Sequence, residues 1–311
     1  MSINMSLKRR CAVKSKHTGW DDLVVNSICN TLGVVTLVLT LYPLLYVLSA
    51  SFSDPMAVAR GDLVLWPVNI TLEGYEMILN YRPIWIGYRN TIFYTVCGTA
   101  LNLLCTIPCA YALSHRDLYG HMMVMLLFTF TIFFSGGIIP TYLMMKSLGL
   151  LNSVWSMLIP GAVSVYNMII ARTYFENSIP HEMEEAAMID GASQLRLFIT
   201  IILPLAKPLL AVIAMYYVVG HWNAFFNALI YLSNDKLYPL QLFLRNILLE
   251  DMMLDLVSAD SEAMEELIRR LQLKESMQYG IVVISSLPIL IIYPFLQRYF
   301  VRGMMIGAIK G

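Results

Sequence analysis

The sequence predicts an all-α integral membrane protein with six transmembrane helices, and three observations carry that reading. Of the 311 residues, 58% are hydrophobic and 14% are charged, which is more apolar surface than one soluble core hides. The mean hydropathy is +0.65. Six apolar runs approach or exceed the ~20 helical residues that cross a hydrocarbon core of ~30 Å. They are Ser27–Ala50, Asn90–Leu113, Met122–Met145, Ser153–Phe175, Leu205–Leu232 and Met277–Gln297.

The first run follows a basic segment containing Lys8, Arg9, Arg10, Lys14 and Lys16. It is longer than the ~7–15 apolar residues of a cleaved signal, so it reads as a retained helix. The segment 51–89 that follows carries Trp66, Tyr75, Tyr81, Trp85 and Tyr88, amphipathic rings suited to a membrane interface. The runs are interrupted by Pro43, Pro108, Gly136-Gly137, Pro140, Pro160-Gly161, Gly220, Pro288 and Pro294. Backbone groups freed at membrane depth are tolerated where protein or water satisfies them, so breaks at this density predict a cavity. Asn102, Asn167, Tyr217 and His221 lie near mid-span. Their side chains suit a hydroxyl-rich ligand, and they suit helix-to-helix hydrogen bonding equally well. The segment 233–276 contains an amphipathic pattern, with Met264, Leu267 and Leu271 on one side and Glu265/Arg269 and Glu266/Arg270 paired on the other. Such a helix fits an external docking surface or a solvated cap.

Charge placement sets the orientation. The net charge is zero, which gives no support for a nucleic-acid partner. Twelve of the 21 Lys and Arg residues fall in the N-terminal arm, at Arg116, in Arg172–Lys207 and in the tail, whereas the 233–276 segment is acid-rich. Both termini are therefore expected in the cytoplasm. The chain divides into a cytoplasmic arm (1–26), a first helix with its outer loop (27–87), a transmembrane core (88–300) and a cytoplasmic tail (301–311). The five cysteines lie in the N-terminal arm or in apolar runs and suggest no disulfide framework. Cys105 and Cys109 share a helix face but have no His or carboxylate near them, so they read as packing residues, and no metal ligands are assigned.

Between the fourth and fifth runs lies the segment 177–204, which reads as two short helices joined at Gly191. Asn177 or Ser178 is expected to cap the first, Pro180 to open it, and Glu182, Glu184 and Glu185 to complement its dipole. Ser193 is expected to cap the second and Pro204 to end it. Ala186 and Ala187 have side chains small enough to let a helix sit deep in a partner's groove. The string Glu185-Ala186-Ala187, three residues, Gly191, nine residues, Ile201, one residue, Leu203-Pro204 resembles the cytoplasmic EAA signature of the membrane subunits of bacterial ABC importers. Phe134–Tyr142, Leu237–Gln241 and Gln297–Gly311 are similar to the carbohydrate branch, in particular to the second permease of maltose-type and complex-oligosaccharide importers.

The resemblance implies the MetI-like permease core in the membrane of a bacterial cell. It implies that Glu184, Glu185, Ala186, Ala187, Asp190, Gly191, Ala192, Leu203 and Pro204 couple the chain to an ATPase, and that Gly303, Gly307, Lys310 and Gly311 of the tail point toward the ATPases. It also implies four kinds of partner: a second permease, two ATPase subunits that hold ATP and Mg, an extracytoplasmic solute-binding protein, and an oligosaccharide or polysaccharide fragment as cargo. No cofactor is expected on this chain. The sequence has no phosphate-binding G-x-x-x-x-G-K-[ST] loop and no paired nucleophile and base, so no catalytic residue is assigned. The alternatives are an ABC permease for a non-sugar solute, a membrane enzyme, and an ion-driven secondary transporter. The last would favour a mid-span carboxylate, which none of the runs contains.

Overall fold

The computed structural model describes residues 20–249 and 277–294. The tail residues, the amphipathic 264–271 segment and the basic arm through Lys16 lie outside the described residues.

Helix α1 (Trp20–Ser51) is apolar on all sides, and none of its membrane-length window is buried in the described chain. It joins the rest at one end, where Ala50 meets Val58 and Leu63. There the Ser49 hydroxyl donates to the Leu65 carbonyl at 2.5 Å and the Val68 N–H donates to Ser53 Oγ at 3.1 Å. Short helices α2 (Pro55–Ala59) and α3 (Glu73–Asn80) complete this cap. The interfacial aromatics divide: Trp66 is exposed, whereas Tyr75 donates to Ser51 Oγ and Tyr88 to the Ile284 carbonyl.

Helix α4 (Arg82–Ala112) is the spine of the molecule. Around it stand α5 (His121–Phe133), α6 (Ile138–Ser147), α7 (Trp155–Leu158), α8 (Val165–Ser178), α9 (His181–Ile189) and α10 (Gln194–Leu197). A π-turn at Phe198–Ile202 leads to α11 (Leu203–Leu205), α12 (Lys207–Trp222), α13 (Phe226–Tyr231) and α14 (Leu240–Leu249). Helix α15 (Met277–Pro294) returns beside α4. No strand occurs among the described residues.

The apolar runs do not all become straight spans. Three helices are long and apolar enough to cross a membrane, Leu23–Ser51, Arg82–Ala112 and Met277–Pro294, and up to five spans result if each bent pair is one. The run Met122–Met145 folds as α5 and α6 at 115° to each other, with Gly137 at φ +83° in the bend. The run Ser153–Phe175 is split into α7 and α8 around Pro160 and Gly161 (φ +76°), so the expected count of six is not met among the described residues. The run Leu205–Leu232 is interrupted between α12 and α13. In each case the sequence signal was length and hydropathy, which register composition but not where a helix bends or stops.

The largest buried cluster gathers at the α9 end of α4. Ile107, Ala110 and Tyr111 pack there with Met168 and Phe175 of α8, Ala187 of α9, Leu197 of α10, and Leu209, Ile213 and Tyr217 of α12. A second cluster, with Ile84, Leu240, Ile247 and Ile281, closes the opposite end.

Candidate functional site: the α9–α10 turn and the polar face of α4

Helix α9 starts at Pro180, whose extended backbone sets the entry. Neither expected cap acts there: Ser178 belongs to α8, and the Asn177 side chain donates back to the Thr173 carbonyl at 2.9 Å. The first turn is stabilised instead by Glu182 and Glu184 at the positive end of the helix dipole. At the other end the Gly191 N–H donates to the Met188 carbonyl and the Ala192 N–H to the Ala187 carbonyl, both at 3.0 Å. This pair of bonds is a Schellman motif, and it needs a left-handed residue at Gly191. Its φ is +78°, and a Cβ there would meet nothing within 4 Å. Glycine is thus required by backbone conformation and not by space. Ser193 Oγ then accepts from the Arg196 N–H at 3.4 Å and opens α10, as its position predicts. Pro204 does not end the helix, which runs on to Leu205 before bending by 81° into α12.

The two faces of α9 differ. Glu185, Ala186, Met188, Ile189 and Asp190 are exposed, with Ile189 at 86%, and Leu195 and Ile199 extend the apolar part of this surface. Ala187 is buried in the chain's own core, so it seats α9 on this subunit and is not free to enter a partner's groove. Glu184 also turns inward. Its carboxylate accepts from the Tyr111 hydroxyl at 3.1 Å and from His115 Nε2 at 2.9 Å. Ala192 and Leu203 are half-buried against the same core, whereas Pro204 is exposed.

Burial pulls the His115 imidazole down, but its hydrogen bonds to the Tyr111 carbonyl and the Glu184 carboxylate, with the charges of Glu184 and Asp117, outweigh it and leave the group raised. Beside the pair lies a cleft of about 550 Å³ lined by residues that include Arg116, Asp117, Glu176 and Glu185. Sequence reasoning missed Tyr111 and His115. No linear signal marks them, because 69 residues separate His115 from Glu184.

Three of the four mid-span residues, Asn102, Tyr217 and His221, fall on or against one face of α4. Asn102 Nδ2 donates to the carbonyls of Gly161 and Ala162 at 3.0 and 2.9 Å, and its Oδ1 accepts from His221 Nε2 at 2.7 Å. Tyr217 bonds Thr106 at 2.7 Å and accepts from the Ser164 N–H at 3.1 Å. Asn102 and Tyr217 therefore satisfy the backbone freed where the fourth run breaks, and they hold helix to helix. His221 lies against Gly98 so closely that a Cβ there would sit 2.5 Å from its ring. Asn167 is buried, and its backbone N–H donates to Ser164 Oγ. Further along the face, Asn90 donates to the Lys236 and Tyr238 carbonyls, and Thr91 Oγ1 accepts from the Leu240 N–H. The buried hydroxyls of Thr95 and Thr99 have no hydrogen-bond partner among the described residues.

A spine helix whose polar face mends broken neighbours, with a Schellman-turned helix pair exposed at one end, matches a known family along most of its length. Residues 83–306 fit the model of the binding-protein-dependent transport system inner membrane component. The chain belongs to this family. The permease is 38% identical to Protein LplC of Bacillus subtilis over 92% of its own length and 95% of that protein. It is 36% identical to the polygalacturonan/rhamnogalacturonan transport system permease protein YtcP of the same organism, over 86% of this chain and 92% of the other. Among solved structures it is similar to a chain of a bacterial ABC transporter involved in the import of the acidic polysaccharide alginate. That likeness has a TM-score of 0.82 and 34% identity, covering 91% of this chain and 98% of the other. The MetI-like fold expected from the sequence is the fold found, and the chain is a membrane-embedded transport component.

Proposed function

We propose that this permease forms half of the translocation pathway of an ATP-driven importer, with a second permease as the other half. Of the importer's two ATPase subunits, which hold ATP and Mg, one docks on α9 and α10 of this chain, and an extracytoplasmic binding protein delivers the cargo. The observation that carries this reading is the exposed face of Glu185, Ala186, Met188, Ile189 and Asp190. It is a mixed acidic and apolar surface on a rigidly turned helix pair, and burying it against a partner would remove apolar area from water. Both termini and the α9–α10 turn lie in the cytoplasm on this reading, and the tail from Gly303 to Gly311 reaches the ATPases.

The cargo is an oligosaccharide or polysaccharide fragment, and an acidic one. Two relatives bear names that specify polygalacturonan/rhamnogalacturonan and alginate, and both are polymers rich in uronate. The test is to purify the tagged chain with its native partners and to measure ATP hydrolysis and uptake of labelled oligouronates against neutral oligosaccharides in proteoliposomes. ATP-dependent uptake of an oligouronate is expected. Uptake driven by an ion gradient without an ATPase would overturn the transport reading, and uptake of neutral sugars alone would overturn the acidic cargo.

A further inference from the structure

We propose that His115, held as an imidazolium between the carbonyl of Tyr111 and the carboxylate of Glu184, is the positioning residue that makes α9 and α4 move as one body. This deepens the coupling role proposed above and rests on it.

The geometry suits two donors. His115 Nδ1 lies 3.0 Å from the Tyr111 carbonyl oxygen and Nε2 lies 2.9 Å from Glu184 Oε2. A carbonyl and an ionised carboxylate only accept, so the doubly protonated ring serves both at once and a neutral ring just one; the Ser114 hydroxyl also lies 3.4 Å from Nδ1. Glu184 is held from two directions, because the Tyr111 hydroxyl donates to Oε1. Ala187 adds a packing contact between the same helices, but apolar contact is non-directional and permits sliding. A carboxylate gripped by an N–H and an O–H does not slide without breaking charge-assisted bonds.

The charged groups facing the pair come from α9, α8, α5 and the loop after α4; next to the Phe198 ring that packs on Tyr111, Arg196 is exposed. On α9 they are Glu184 and Glu185, and on α8 Glu176 and Arg172. The loop of His115 itself contributes Arg116 and Asp117, and α5 contributes His121. The other cations are occupied or turned away. Arg172 bonds Glu176 and the Leu113 carbonyl, Arg116 is 87% exposed and lies 3.9 Å from Glu176, and His121 bonds the Leu113 carbonyl. Among the described residues the imidazole of His115 is the one cationic group within 4 Å of Glu184, and the adjoining cleft gives water access to it. The raised His115 value acts in the same sense. The charged pair is complete below the ordinary histidine range and is lost as pH rises through the raised value. Because α4 also carries Asn102 and the ring of His221 packs against it, displacement of α9 would be delivered directly to the helix that holds the break at Gly161.

The experiment places spin labels at positions 182 on α9 and 104 on α4, in the complete importer with its native cysteines replaced. The separation is compared between nucleotide-free and MgATP-vanadate-trapped states at pH 6 and pH 9. In the wild-type background the separation should stay constant on trapping at pH 6 and change at pH 9. His115→Gln, which keeps an N–H donor but cannot titrate, should respond identically at both pH values. His115→Ala should let the separation change at both. A merely structural histidine would lower yield or thermal stability and leave these patterns unaltered. A wild-type separation with the same response at pH 6 and pH 9 overturns the proposal without recourse to any variant. Absence of the ATPases from the wild-type complex overturns the coupling reading itself, and the proposal with it.

Discussion

The polar face of α4 and the outer face of α9 draw on similar small and polar residues, yet the fold uses them in opposite ways. On α4 they are buried and, apart from the Thr95 and Thr99 hydroxyls, consumed. Asn102 spends both amide protons and its oxygen on Gly161, Ala162 and His221, and the Tyr217 hydroxyl is shared between Thr106 and Ser164. On α9, Glu185, Ala186 and Asp190 stand exposed beside Met188 and Ile189. The difference teaches that a polar residue inside an apolar run is first a candidate for mending a nearby helix break. A break leaves backbone groups that lipid cannot satisfy, and a side chain within reach removes that cost. A polar residue on a helix whose opposite face already holds the subunit together has no such internal duty.

The sharpest way to break this comparison is Asn102→Leu. It deprives the Gly161 and Ala162 carbonyls of the donor in two part-buried hydrogen bonds, at about 1–3 kcal/mol for each carbonyl left unpaired out of reach of water. Thermal unfolding of the purified complex should drop markedly. Unchanged stability with weakened sugar affinity would place Asn102 in a ligand site instead. The next largest effect separates the neighbouring alanines. Ala187→Trp overfills this subunit's own core, at a cost of about 1–3 kcal/mol, and should reduce the amount of folded chain. Ala186→Trp should leave the chain folded but release the ATPases on purification.

Gly191→Val forces a β-branched residue to φ +78°, strain of about 1–3 kcal/mol confined to the turn. The chain should reach the membrane and lose copurifying ATPase, and Gly191→Asn should restore most of it, since Asn tolerates this conformation. Wild-type assembly in Gly191→Val would show that the turn bears no load. The smallest effect is expected from Tyr217→Phe. It leaves one backbone group, the Ser164 N–H, without its acceptor where Asn102→Leu strips two, and should produce a smaller fall in the unfolding midpoint without change in ATPase association.

Some of these distinctions were legible in the residue order. The left-handed turn at Gly191 and the cap at Ser193 are local, set within a few residues, and a sequence displays them. Glu184 and Ala187 lie in the same short helix as Ala186 and Asp190, yet these two turn inward. Which of them turns inward depends on where α4 and α8 pass. Pro160-Gly161 announced a break in the fourth run but not that Asn102, 59 residues earlier, would close it.

By itself, then, the sequence determined that the chain is helical, apolar enough for lipid, and furnished with a glycine-turned segment of known kind, because hydropathy, helix breakers and a positive φ are properties of neighbours along the chain. The tertiary structure alone decided which helices stay straight, which polar groups are used up as internal donors, and that His115 meets Glu184. Those outcomes depend on contacts between residues tens of positions apart, and hydrogen bonds are selected by distance in space, to which spacing along the chain gives no guide.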